Sequence, residues 1–247
     1  MLLLDVGLAF QAKPPAFLHV TTVEVKPSMV VEYERYASQI ADGAVKIGLP
    51  QQVSAYQVVL GASPYTYVYV APLMSWADPE AFMTGPQIVD KAFGAAGARM
   101  TQAGRASVAA TDIGIHRFRP DLSTNFSLPA ESPAFASLVR TQLVQAEVGA
   151  YEESILKLKA AQEQTPSHPP VLRFSSVVGP ANFHTSLQFF NRFSERDTWP
   201  STTGILGGMV GAEEARRVIE RGNRAISHRE YWVLRSRRDL SRGRRGG

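Results

Sequence analysis

No cysteine occurs in the sequence. Disulfides, thiolate metal sites and cysteine nucleophiles are therefore excluded, although the absence does not fix a compartment. No run of eighteen apolar residues occurs either, so nothing reads as a membrane-spanning helix. Charge of one sign is scarce outside the C-terminus. The formal surplus is +4, and Arg242, Arg244 and Arg245 supply three of those charges. The body is nearly neutral, with no basic stripe to meet nucleic acid, and residues 242–247 read as a solvated Arg/Gly-rich tail. Histidines are few and dispersed. No His-x-x-x-His or His-Glu-x-x-His is present, so no metal site is expected. Phosphate-binding glycine loops and Gly-x-Ser-x-Gly are absent as well, leaving nucleotide binding and ordinary serine hydrolysis without support.

What the sequence does contain is a repeat. Val53–Gly61 (VSAYQVVLG) matches Val171–Gly179 (VLRFSSVVG) at an offset of 118. The same offset pairs Tyr33-Glu34 with Tyr151-Glu152, Tyr65 with Phe183, and Arg117–Ser123 (RFRPDLS) with Arg235–Ser241 (RSRRDLS). One constant offset at separated places indicates a duplication.

Each copy reads as β-α-β-β-α-β, the ferredoxin-like order. In the first, 17–26 alternates as a strand, Ser28 is placed to cap a helix over 29–46, and 53–60 and 65–73 form a hairpin. A helical region broken at Gly85-Pro86 runs from 78 to about 107, and 110–119 is the closing strand. In the second, the strand is 138–147, the helix 151–164, the hairpin 171–178 with 183–193, the last helix 212–227 and the last strand 230–237. The expected organisation is an arm over 1–15, repeats over 16–123 and 134–241, a linker over 124–133, and the tail. Residues 1–12 (MLLLDVGLAFQA) resemble the end of a signal peptide but lack a basic leader, so an exported or periplasmic location and a cytoplasmic one are equally compatible.

A lone ferredoxin-like sheet carries both helices on one face. Tyr65, Tyr67 and Tyr69 share one face of their strand, while Thr66, Val68 and Val70 take the other, so neither face reads as solvated. Two packed sheets would cover both.

With its duplicated β-α-β-β-α-β order over about residues 16–241, the chain resembles the dimeric α/β-barrel superfamily. That group includes the antibiotic-biosynthesis monooxygenases, the NIPSNAP-like proteins and the chlorite-dismutase-like haem proteins. The resemblance implies an α+β fold of tandem ferredoxin-like units, with antiparallel sheets packed as a dimeric α/β barrel. It also implies a pocket for a small, often aromatic molecule, and it transfers no catalytic residue.

The candidate chemistry is therefore read from the residues. His19 and His116 lie on strands expected to be neighbours, where with Tyr65, Tyr67 and Tyr69 they would orient an aromatic ligand and take its proton. The competing reading makes them structural hydrogen bonders. His184 is the candidate haem ligand, and His228 a charge at a helix C-terminus. Arg117 would hold a ligand carboxylate, although the repeated Arg-x-Arg-x-Asp-Leu-Ser ending favours a structural role in which Asp pairs with a nearby Arg. Trp232 stands where the first copy has Gly114, which leaves the first copy more room for a cavity; compensatory core packing is the alternative. Three functions follow: a cofactor-independent monooxygenase acting on an aromatic or apolar ligand, a non-catalytic binding or stress-associated module, or a haem protein. A small molecule is the expected partner, and unpaired sheet edges allow a homo-oligomer.

Overall fold

The computed structural model describes residues 14–124 and 133–242. The signal-like segment, most of the linker, and Arg244 and Arg245 lie outside them. The elements are β1 (Phe17–Val25), α1 (Val30–Lys46), β2 (Ser54–Leu60), β3 (Thr66–Leu73), α2 (Gly85–Phe93), α3 (Ala95–Ser107) and β4 (Val108–Phe118), then β5 (Phe135–Leu143), α4 (Val148–Glu163), β6 (Leu172–Val178), β7 (Phe183–Phe190), α5 (Thr202–Val210), α6 (Ala212–Arg224) and β8 (Ile226–Ser236). The strands follow the hydrogen-bonded order β1-β3-β2-β8-β5-β7-β6-β4, an antiparallel closed barrel. Among the described residues no helix is long and apolar enough to cross a membrane.

Two compact units divide the described chain. One contains residues 14–115 and 234–242, the other 116–124 and 133–233. The last residues of each half thus belong to the unit built on the other half.

In the first unit, β1 pairs with β3 and β3 with β2. The register sets Thr21 opposite Tyr69 and Val23 opposite Tyr67, with Ala55 of β2 opposite Tyr69. Period-two alternation puts these residues on one face. That face packs on α1 in a cluster of Val23, Val25, Tyr33, Ala37, Ala55, Tyr67 and Leu240. The other face is buried too, at Leu18, Tyr56 and Val68. The second unit repeats the pairing, β5 with β7 and β7 with β6. There Leu143 and Tyr151 cluster with Ala225, and Ala161, Leu206, Ala215 and Val218 form a second cluster.

Several boundaries differ from the sequence reading. Pro27–Met29 forms a 3-10 turn, and Ser28 caps nothing. Gly85-Pro86 opens α2 instead of breaking it: proline suits the first helical turn, where its missing N–H would have no partner, and Thr84 and Gln87 form a capping box. The break lies at Gly94, whose φ of +57° separates α2 from α3. The first strand of the second half ends at Leu143, before the expected 147, because the Val144 amide turns to the Ala225 carbonyl at 2.9 Å. His228 lies within β8, where Nε2 is 3.6 Å from Glu230 Oε1, so it is not a helix-terminal charge.

Candidate functional site

A cavity of about 530 Å³ lies in the first unit, within the size range of small-molecule sites. Its floor is the helix-facing side of the sheet: His19 and Thr21 from β1, Tyr69, Ala71 and Leu73 from β3, Ile113 and Ile115 from β4. Tyr36 and Ile40 of α1 cover it, and the segment before α2 adds Phe82 and Met83. Ile113 is itself exposed.

The lining is largely apolar, with a small set of polar groups. His19 packs against Phe82 with the rings tilted and their centroids 4.8 Å apart. Burial and the charge of Arg242 hold its pKa below the ordinary histidine value, so the imidazole is neutral at pH 7. The Tyr33 hydroxyl donates to the Tyr69 oxygen at 2.9 Å, leaving the Tyr69 proton available to another acceptor. Burial pushes the Tyr69 phenol up to about 12, so it remains protonated. Tyr36 is also raised by burial.

Arg242 completes the lining. It was expected in a solvated tail and is instead half-buried, with its Nη1 wholly buried. The cause is main-chain pairing: its amide donates to the Val53 carbonyl at 2.8 Å and its carbonyl accepts from the Val53 amide at 2.9 Å. Sequence reasoning missed this residue because it opens an Arg/Gly run. The signal was available, since the repeated ending stops only one residue before it.

The other candidates are placed as follows. Tyr67 is fully buried in the core, donates to Glu34 Oε1 at 2.6 Å, and does not line the cavity. Tyr65 is exposed and precedes β3. His116 is one residue out of phase with the cavity-lining Ile113 and Ile115, so its side chain leaves β4 by the opposite face. It belongs to the second unit, where its ring lies 6.4 Å from that of Phe183. His19 and His116 therefore do not share the cavity. Arg117 is exposed and in the second unit. Trp232 is buried under the Arg140 guanidinium, 4.8 Å from the ring centroid. Of the sequence candidates, His19 and Tyr69 come together.

His184 does not fit a haem ligand. It is buried edge-on against Tyr151, ring centroids 5.4 Å apart, and its Nε2 lies 3.7 Å from Glu152 Oε1. That carboxylate is itself clamped by Arg119, so the ring nitrogen faces a filled corner of the core. Among the described residues no three His, Asp or Glu side chains converge as a metal site would require.

The repeated ending has a structural setting in both units. Arg237 binds Asp239 at 2.8 Å and Glu34 at 2.5 Å; Arg119 binds Asp121 at 2.6 Å and Glu152 at 2.5 Å. Ser241 Oγ accepts from the Ala55 amide at 3.0 Å, and Ser123 Oγ from the Arg173 amide at 2.8 Å. Every partner in one set lies 118 residues from its counterpart in the other. The paired arginines hold Asp121 and Asp239 below the ordinary carboxylate range, and Arg237 does the same for Glu34.

No protein-family model and no curated protein matches the chain. Solved structures do. An anthrone oxidase-like protein aligns with a TM-score of 0.59 at 9% identity, covering 94% of this chain and 95% of that one. A proposed monooxygenase from Lactobacillus acidophilus NCFM gives 0.53 at 10% identity over 94% and 97%. A chlorite dismutase from Candidatus Nitrospira defluvii gives 0.54 at 11% identity over 93% and 94%. The chain has the dimeric α/β-barrel fold. Identities this low carry the architecture and leave the chemistry to be argued from the cavity.

Proposed function

We propose that the first-unit cavity binds a small aromatic or apolar molecule and that the protein is a cofactor-independent monooxygenase acting on it. The observation that carries this reading is a neutral, desolvated His19 in the wall of an otherwise largely apolar cavity. A neutral imidazole accepts a proton, and burial keeps competing water away. The names of three structural neighbours, two proposed monooxygenases and an anthrone oxidase-like protein, support the same class.

The reaction that suits such a site starts from a methylene made acidic by flanking rings and a conjugated carbonyl. His19 takes one proton, and the Tyr69 hydroxyl donates to the oxygen on which the charge collects. The carbanion reduces dioxygen and forms a C–O bond. Loss of water from the resulting peroxide converts CH₂ to C=O, so one oxygen atom enters the product and the other leaves as water. The substrate supplies all the electrons. We also infer that the two halves arose by duplication and that the second no longer keeps the site.

Oxygen uptake with anthrone as the test substrate checks the catalytic part. The expected result is turnover by the wild type that falls about 10²-fold or more in His19→Ala, the usual contribution of a general base, while the variant still gives a ligand-induced thermal shift. Ligand-induced shifts without oxygen uptake in the wild type would leave a binding module and remove the enzyme.

A further inference from the structure

Each unit holds a desolvated arginine, and the two are satisfied differently. In the second unit it is Arg173, 5% exposed on β6. Nη1 donates to the Leu122 carbonyl at 2.5 Å and Nη2 to Gln162 Oε1 at 3.2 Å. Gln162 in turn lies 3.2 Å from His168. Subtracting the 118-residue offset from positions 173, 162 and 168 gives Ala55, Ala44 and Pro50, none of which has a polar side chain.

The desolvated guanidinium of the first unit comes instead from half-buried Arg242, whose counterpart in the other half is Thr124. Its main chain is pinned to Val53 in both directions, so the side chain is held in place. The residue lines the cavity, and its Nη1 lies buried with no acceptor among the described residues. Burial lowers its pKa, and the groups opposing that shift are Tyr69 and Tyr36. Both phenols are raised and hence neutral, so neither supplies a counter-charge. A desolvated cation without a paired anion is costly. Arg173 meets that cost with two protein acceptors, only its Nε lacking one; Arg242 brings its charge to the wall of the cavity.

We propose that the cavity takes an organic anion, a ring-sized apolar body bearing one delocalised oxyanion, with that oxyanion seated on the Arg242 guanidinium. Carboxylate, phenolate and enolate share this chemistry. The proposal rests on the cavity being the ligand site and narrows what the ligand is. Ile40, Leu73, Phe82 and Ile115 supply the apolar walls for the ring, and the Tyr69 hydroxyl supplies a second donor. Arg242, whose charge adds to burial in holding His19 neutral, would also stabilise the charge appearing on a substrate as His19 takes its proton.

Calorimetric titration of the full chain with two isosteric pairs, benzoate against benzamide and 2-naphthoate against 2-naphthamide, tests this at pH 7.5 and low salt. The expected result is at least one acid bound about ten to a hundred times more tightly than its amide, the usual worth of a hydrogen bond to a charged group. Arg242→Gln and Arg242→Met should abolish that preference while leaving the amide within about twofold, the amide reporting that each variant is folded. Equal affinity for acid and amide in the wild type would overturn the anion proposal and keep the cavity reading. Acid affinity unchanged in both variants would also overturn it. Absence of binding by all four probes would overturn the cavity reading and the anion proposal with it.

Discussion

At the scale of single residues, three histidines determine how the fold responds to acid. His19, His168 and His184 are each desolvated, and each has its pKa lowered from 6.5. The folded protein therefore binds these protons less readily than the unfolded chain. Above about pH 6.5 neither state is protonated and the stability is fully present; as pH falls below that value the unfolded chain takes protons first and stability declines. The clamped carboxylates Glu34, Asp121 and Asp239 have depressed values too, but their contribution is lost lower, as pH falls below about 4. Urea midpoints at pH 7.5, 5.5 and 3.5 should fall in two steps, and His184→Asn should shrink the upper one. A midpoint flat between pH 7.5 and 5.5 would contradict this assignment.

Gly104 on α3 makes a second residue-scale test. A Cβ there would overlap the Tyr36 ring, so the ring and the helix are in contact only because the side chain is absent. Alanine normally stabilises a helix interior by about 1 kcal/mol over glycine. Here Gly104→Ala should destabilise by about 1–3 kcal/mol, as overpacking does, and push the Tyr36 ring toward the cavity. Thermal unfolding checks the sign, since a stabilised variant would show that the contact gives way freely.

At the scale of elements, the clamps explain why the Arg-x-Arg-x-Asp-Leu-Ser ending recurs. The pairing of Asp with its neighbouring Arg was legible from spacing. The partners Glu34 and Glu152 were also marked by the repeat, yet nothing local linked a helix residue to an arginine 203 or 33 positions away. Arg237→Met should cost about 1–3 kcal/mol, the value of hydrogen bonds to charged groups, and the loss should shrink below pH 4 once Glu34 and Asp239 are protonated. Urea denaturation at pH 7 and pH 3.5 measures both; an equal loss at the two values would mean the arginine acts through packing alone.

Strands and hairpins were legible because alternation is strong in Phe17–Val25 and Thr66–Leu73, whose registers follow that pattern. The helix Thr202–Val210 was not. Its sequence, TTGILGGMV, has three glycines and little amphipathic character, so propensity argued against it. It forms because Ser201 Oγ accepts from the Gly204 amide and because Ile205 and Leu206 find a buried cluster. Tertiary burial outweighed the local preference.

On the scale of the whole molecule, the halves share an architecture and differ in their interiors. The sequence suggested room in the first half at Gly114, with compensatory packing by Trp232 as the alternative; a cavity lies in the first unit, but Gly114 does not line it, being in phase with His116 on the other face of β4. It could not reveal that His116 faces away from the cavity while His19 faces into it, because strand phase is set by pairing register. Nor could it show that a residue near the end of the chain supplies the cavity's cation.

A nitrogen NMR titration of histidine-labelled protein, with whichever naphthalene or benzene carboxylate binds most tightly, locates the ligand. The His19 ring signals should shift in a saturable way while those of His168 and His184 stay in place. Saturable shifts at His184 with none at His19 would put the ligand in the other unit and rule out a first-unit site.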